Sequence, residues 1–328
     1  MKTTTPLIAG LALTATMAAA ETPVLTVYAP DYFGSDWGPG PAIEQMFEAT
    51  CDCDLKFSTG DLLPRLLLEG DTATADAAIG FNTDVMKRAR ETGLFADHGL
   101  DQSGITLPVD WDDSVFVPFN YGHTAFVYDE DNLATPPADL DAMRQLPDDV
   151  KVVIQDPRSS ISGLALALWV DHVYGDEAEG FWADLAPNIL TVTKGWSESY
   201  GLFTSGEAEM VLSYTTSPAY HAVAEDDPTI HAAIFPEGHY FMVETAAMLK
   251  GSDQPELARA FLEMILSDAF QTAIPLANWS LPSALPDDQW PEEMADLPLP
   301  EKVLFYSEDE AAERRDAAIA AWSAGLRQ

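Results

Sequence analysis

The chain has 328 residues, 54 of them Asp or Glu against 16 Lys or Arg, for a formal net charge of −38 and an isoelectric point near 4.1. Such a surface repels polyanions, which excludes nucleic acid as a partner and disfavours anionic membrane surfaces. Because 47% of residues are hydrophobic and 10% aromatic, the chain can bury a sizeable core, and its length suits two units of about 150 residues or one chain crossing between two lobes.

Residues 1–20 carry Lys2, then the apolar run LIAGLALTATM, then Ala18, Ala19 and Ala20 before the first acid, Glu21. That three-part layout predicts a secretory signal peptide. No later run approaches the ~18 apolar residues of a membrane span, so the mature protein is expected in the periplasm. The only cysteines, Cys51 and Cys53, flank Asp52. A ring closed across one residue constrains almost no chain, so local turn chemistry is expected there and no disulfide framework.

In chain order, VLTVYAP (24–30) reads as a strand leading into the turn-rich SDWGPGP (35–41) and a helix starting at AIEQMFEA. LKF (55–57), LLPRLLLEG (62–70), DAAIGF (76–81) and NTDVMKRARETG (82–93) continue the alternation of short apolar runs and helical patterns. KVVIQDP (151–157), the helix SGLALALWVDHVYG (162–175), ILTVTKGW (189–196) and EMVLSY (209–214) repeat it. This is the signature of mostly parallel α/β layers. Two long strands, 114–130 and 231–249, read as segments crossing between the layers, and 254–274 and 308–326 read as long helices. The Pro-rich stretch 282–300 reads as a surface connection. The expectation is a two-lobed α/β binding protein with paired hinge strands: lobe 1 from 21–115 and 245–280, lobe 2 from 116–244 and 281–328.

No P-loop, G-x-G-x-x-G, H-E-x-x-H or G-x-S-x-G occurs, so nucleotide, metal and hydrolase readings lack support. QDPRSSISG (155–163) could hold an anion at a helix start, or be an ordinary N-cap. What stands out is aromatic density at strand ends: Trp37, Trp196, Tyr200, Tyr214, Tyr220 and Trp279. Loops after strands line the crevice of an α/β lobe, and aromatic faces there suit a flat cationic heterocycle.

The ordered series VLTVY, DWGPGP, TGLFA, FVPFNYG, FVYD, QDPR, VTKGWSESYGLF, VLSYTTSPAYH, EGHY, QPELA, AIP and NW resembles the periplasmic thiamine-binding proteins of bacterial ABC transporters over nearly the whole mature chain. The resemblance implies a type II-like periplasmic binding protein fold, with thiamine or its mono- or diphosphate held between the lobes, no separate cofactor and no metal. It places ligand contacts on Gly60, Ser160, Ile161, Trp196, Tyr214, Thr215, Thr216 and Ser217, with Tyr220, Trp37 and Trp279 as further walls. Trp196 and Tyr220 would stack on the ligand rings, and the Ser and Thr hydroxyls would hydrogen-bond them. One departure is that CDCDLKFSTGDLLPR is shorter than the family loop, so Asp61 would have to supply the acidic contact from a shifted position. The implied partners are an inner-membrane ABC permease and its ATPase, served by a monomer that is not an enzyme. A two-lobed protein for ferric ion or a polyamine is the alternative; it would need a Tyr, His and carboxylate cluster, or acids lining the cleft.

Overall fold

The structure, a computed structural model, describes residues 22–35 and 37–327. The leader read over residues 1–20 lies outside them. The first half contributes β1 (Val24–Ala29), α1 (Gly40–Glu48), β2 (Asp54–Thr59), α2 (Leu62–Glu69), β3 (Ala77–Asn82) and α3 (Thr83–Glu91) before the long β4 (Val117–Asp129). Then follow α4 (Leu140–Met143), β5 (Val152–Gln155), α5 (Ile161–Tyr174), α6 (Ala178–Leu185), β6 (Ile189–Thr193), α7 (Trp196–Thr204), β7 (Met210–Tyr214), α8 (Ser217–Tyr220), β8 (Ile230–Ala233) and β9 (His239–Met248). The chain ends with α9 (Pro255–Ile265), α10 (Asp268–Ala277), β10 (Leu281–Pro282), α11 (Glu292–Ala295), β11 (Val303–Leu304) and α12 (Glu308–Gly325).

The strand order β2-β1-β3-β9-β4-β7-β5-β6 contains two parallel trios, β2-β1-β3 and β7-β5-β6. Antiparallel β9 and β4 join them. β3 is buried at all six positions and is apolar from Ala77 to Phe81, as expected of a parallel strand covered on both faces. β4 pairs with β9 over Val117–His123 and with β7 and β8 over Thr124–Asp129. It is a single strand belonging to both halves. Register steps occur at Ile79/Phe81 and at Pro118/Asn120. Gly80 makes the first possible, with φ +97 and Pro30 side-chain atoms 2.5 Å from where a Cβ would stand. At the second, Pro118 has no N–H to give the ladder.

Separate apolar clusters cover the faces. Leu25, Val27, Phe47, Phe119, Phe261 and Leu262 fill one side of the first sheet region. Phe81, Phe116, Phe126, Trp169, Phe181 and Trp182 form the large cluster beneath α5 and α6. α5 is apolar all round and almost wholly enclosed, as expected of a helix with no solvent face. Ser160 caps its start and Gly175, at φ +53, follows its end. α12 opens on a capping box of Ser307 and Glu310 and packs against α3, α5 and α6.

Several elements differ from the sequence reading. The strand read over 231–249 is two strands, because Pro236 lacks an N–H and Gly238 turns the chain at φ +103. The helix read over 254–274 breaks after Ile265, where Ser267 caps a new helix by accepting from the Phe270 amide. Within 282–300, Leu285 and Met294 are buried, so that stretch is more than a surface connection. Residues 281–284 hydrogen-bond to the first half of β4 and to Gln271 of α10, so the chain after α10 returns to the sheet before the Pro-rich stretch. Cys51 and Cys53 pair with each other directly after α1, with a Cα separation of 5.3 Å.

Candidate functional site

A cleft of about 740 Å³ lies between the halves. Its walls are the segments that follow β1, β2, β5, β6 and β7, and its floor is β4 and β9 at Asn120, Gly122, Met242 and Glu244. This is the crevice outside the carboxyl ends of the strands, where α/β folds bind ligands.

Of the residues named from the sequence, Trp37, Gly60, Asp61, Ser160, Ile161, Trp196, Tyr214, Thr216, Ser217, Tyr220 and Trp279 all line the cleft. Thr215 does not line it; the residue is fully buried and its amide donates to the His123 carbonyl at 3.0 Å. The aromatic residues form two pairs across the opening. Trp37 meets Trp196 at 5.3 Å between centroids, and Trp279 meets Tyr220 edge-on, also at 5.3 Å. Trp196 opens α7, donates its indole N–H to Ser213 Oγ at 2.9 Å and stacks on Tyr200 at 4.4 Å. Tyr200 stacks in turn on His221. One face of Trp196 is therefore already covered by protein.

Tyr220 ends α8, and the chain continues in a single wide helical turn over His221–Glu225. Wide turns of this kind recur at functional sites. Glu225 ties the turn together, accepting from Tyr220 Oη and lying 2.6 Å from His221 Nδ1. Trp279 sits at φ +50, a left-handed backbone that a bulky residue adopts only where its surroundings enforce it.

The polar wall is the start of α5. Ile161 and Ser162 lie in its first turn, where backbone N–H groups have no helical partner and favour negative charge. Ser160 Oγ accepts from the Gly163 amide, and Ser159 Oγ donates to the Lys194 carbonyl at 2.8 Å. Ser162 and Tyr214 share a 2.5 Å hydrogen bond between hydroxyls. The Ser217 hydroxyl turns inward to Ser213 at 2.7 Å. Asp61 meets Lys194 of the opposite half at 2.9 Å.

Sequence reasoning missed the floor. Tyr32 donates to Glu244 Oε1 at 2.6 Å, and Asn278 donates to Oε2 at 3.3 Å. Burial raises the Glu244 carboxyl above its ordinary value, partly offset by the Tyr32, Asn120 and Asn278 side chains around it. Burial and the neighbouring carboxylate push the Tyr32 phenol well up, so it stays a donor. Only the alternation of β9, which puts Met242 and Glu244 on one face, could have pointed to this acid. Among 54 acids it carries no motif.

Aromatic pairs on both sides, a carboxylate on the floor and helix amides at one end can surround a flat cation with an anionic or hydroxylated tail. A family model for bacterial extracellular solute-binding proteins matches residues 34–272. A thiamine-binding periplasmic protein of Escherichia coli strain K12 is 46% identical over 92% of this chain and 92% of its own length. A solved periplasmic thiamin binding protein superposes with a TM-score of 0.91 at 44% identity, covering 95% of this chain and 98% of that one. Iron-bound HitA from Pseudomonas aeruginosa superposes at 0.73 with 18% identity, covering 92% and 99%, a likeness of fold alone. On its fold, its cleft and these matches, the chain belongs to the bacterial extracellular solute-binding protein family.

Proposed function

We propose that the protein is the substrate-binding component of an ABC importer and that its ligand is thiamine, captured in the periplasm after export on the leader at residues 1–20. The observation that carries this reading is the pair of cross-cleft aromatic contacts, Trp37 with Trp196 and Tyr220 with Trp279. They place π faces from both halves around one enclosed space. Each such face contributes about 0.5–2 kcal/mol toward a cation, more where water is excluded. The thiazolium of thiamine carries a permanent positive charge, and the excess of acids over the whole chain raises the local concentration of cations.

The helix amides at Ile161 and Ser162, with Ser159 and Ser160 beside them, suit the hydroxyethyl arm or an ester phosphate. Thiamine monophosphate and diphosphate are therefore proposed as further ligands. The ferric alternative is disfavoured because Tyr214 and Tyr220, the two phenols it would draw on, lie six residues apart in the sequence and not adjacent, and Tyr214 is hydrogen-bonded to Ser162. The closed protein would pass its ligand as a monomer to an inner-membrane permease powered by an ATPase. Calorimetry with thiamine and both phosphates, together with tryptophan fluorescence, tests the reading. Saturable binding with quenching and no product supports it; no binding of any of the three overturns it.

A further inference from the structure

The cleft floor holds polar groups that the protein itself leaves unmatched. Glu244 is 8% exposed, and among the described residues no Lys, Arg or His lies within ion-pair distance of its carboxylate. Directly across the ladder from it stands Asn120, 1% exposed, whose Nδ2 lies close enough to the Glu244 carboxylate to lower its pKa yet has no partner in full hydrogen-bond geometry. Ser280, next to the strained Trp279, is 8% exposed, and its hydroxyl is also unpartnered. All three line the cleft. A buried anion without a counter-charge and a buried amide with N–H capacity left to spare are both costly, and native proteins keep such groups where something else completes them.

Opposed residues of an antiparallel pair hold their Cβ atoms about 5 Å apart on the same face. Asn120 and Glu244 thus present a donor and an acceptor side by side. The matching edge is one that accepts and donates at adjacent atoms. In thiamine that edge belongs to the pyrimidine, at ring nitrogen N3′ and the 4′-amino group.

We infer that Glu244 and Asn120 are the specificity-determining pair of the cleft, Glu244 accepting an N–H of the 4′-amino group and Asn120 Nδ2 donating to N3′. This rests on the thiamine reading. Tyr32 and Asn278 hold the two carboxylate oxygens in place, so the acceptor is aimed before the ligand arrives and little ordering is needed on binding. The ligand's positive charge then compensates the carboxylate inside the same cavity.

Oxythiamine provides the test, because its 4′-oxo group and N3′–H reverse the donor and acceptor while the thiazolium is unchanged. Calorimetry on the full mature chain should give affinity for thiamine at least about thirtyfold above that for oxythiamine, the range of one hydrogen bond to a charged group. Glu244→Gln, which can donate to an oxo group, should lose at least about tenfold toward thiamine and hold or gain toward oxythiamine, collapsing the ratio. A wild-type protein that binds both compounds equally overturns the inference without any variant. So does a Glu244→Gln protein that weakens both by the same factor or neither. Failure of the wild type to bind thiamine overturns instead the reading on which the inference rests.

Discussion

Lys194 of one half and Asp61 of the other form a 2.9 Å ion pair across the cleft, so the acid that the sequence offered as a ligand contact is occupied in bridging the lobes. Both side chains are well exposed, at 70% and 45%. Lys194→Ala should therefore weaken thiamine binding by no more than about fivefold, since exposed pairs contribute about 0.2–1 kcal/mol. The difference from wild type should vanish near 1 M salt, where the screening length falls to about 3 Å. Titrations at low and high salt check both points.

Tyr220 is held by a hydrogen bond to Glu225 and by edge-on ring contacts with Trp279 and His221. Tyr220→Ala should reduce thiamine affinity at least about tenfold and leave the melting temperature nearly unchanged. Trp196→Ala should cost at least as much affinity and also lower the melting temperature, because it strips Tyr200 of one of its two stacking partners and Ser213 of a donor. Calorimetry and thermal melts on the two variants separate the effects. Unaltered affinity in both would refute the aromatic assignment.

Asp84 is buried between Tyr240 and Asn82, which donate to its two oxygens, and burial raises its pKa from 3.8 to about 7. The folded state thus keeps a proton that the unfolded chain releases, so this group's contribution to stability falls as pH rises from about 4 to about 7. Asp84→Asn removes that titration. The Asn82 Oδ1, unpaired now, can accept from the new amide once the Asn82 side chain flips. The variant should match wild type near pH 4 and exceed it above pH 7, by on the order of 4 kcal/mol. Urea melts across that range measure the difference.

Gly163 lies where α5 meets the end of β5, and a Cβ there would stand 2.5 Å from the Gln155 carbonyl oxygen. Gly163→Ala should push the first turn of α5 away from the sheet and destabilise the fold by about 1–3 kcal/mol. It should also weaken ligand binding, since Ile161 and Ser162 move with the turn. A chemical melt together with one titration tests both effects.

The alternation of short apolar runs with helical patterns made the parallel trios legible, and the clustering of Trp and Tyr beside Gly and Pro at strand ends marked the cleft. Breaks inside long patterned segments were harder to see. Nothing in LEMILSDAFQTAI says that a new helix starts after Ser267, because Ser is tolerated mid-helix and its capping role depends on the local chain path. The pairing of Tyr32 with Glu244, residues 212 apart in sequence, is a product of topology. Thr215, read with its neighbours as a hydroxyl for the ligand, is buried outside the cleft lining because the backbone turns there from the end of β7 into α8.

β4 and β9 pass through the middle of the sheet with Tyr121, Gly122 and His123 paired to Val243, Met242 and Phe241. A rotation of one half against the other that keeps these pairings would have to coil the ladder without breaking its backbone hydrogen bonds at the pivot. In a deuterium-exchange experiment the pivot should be among the slowest places to take up label, since amides of core strands exchange only through global opening. A rapidly labelled pivot would mean that the halves turn by melting these strands.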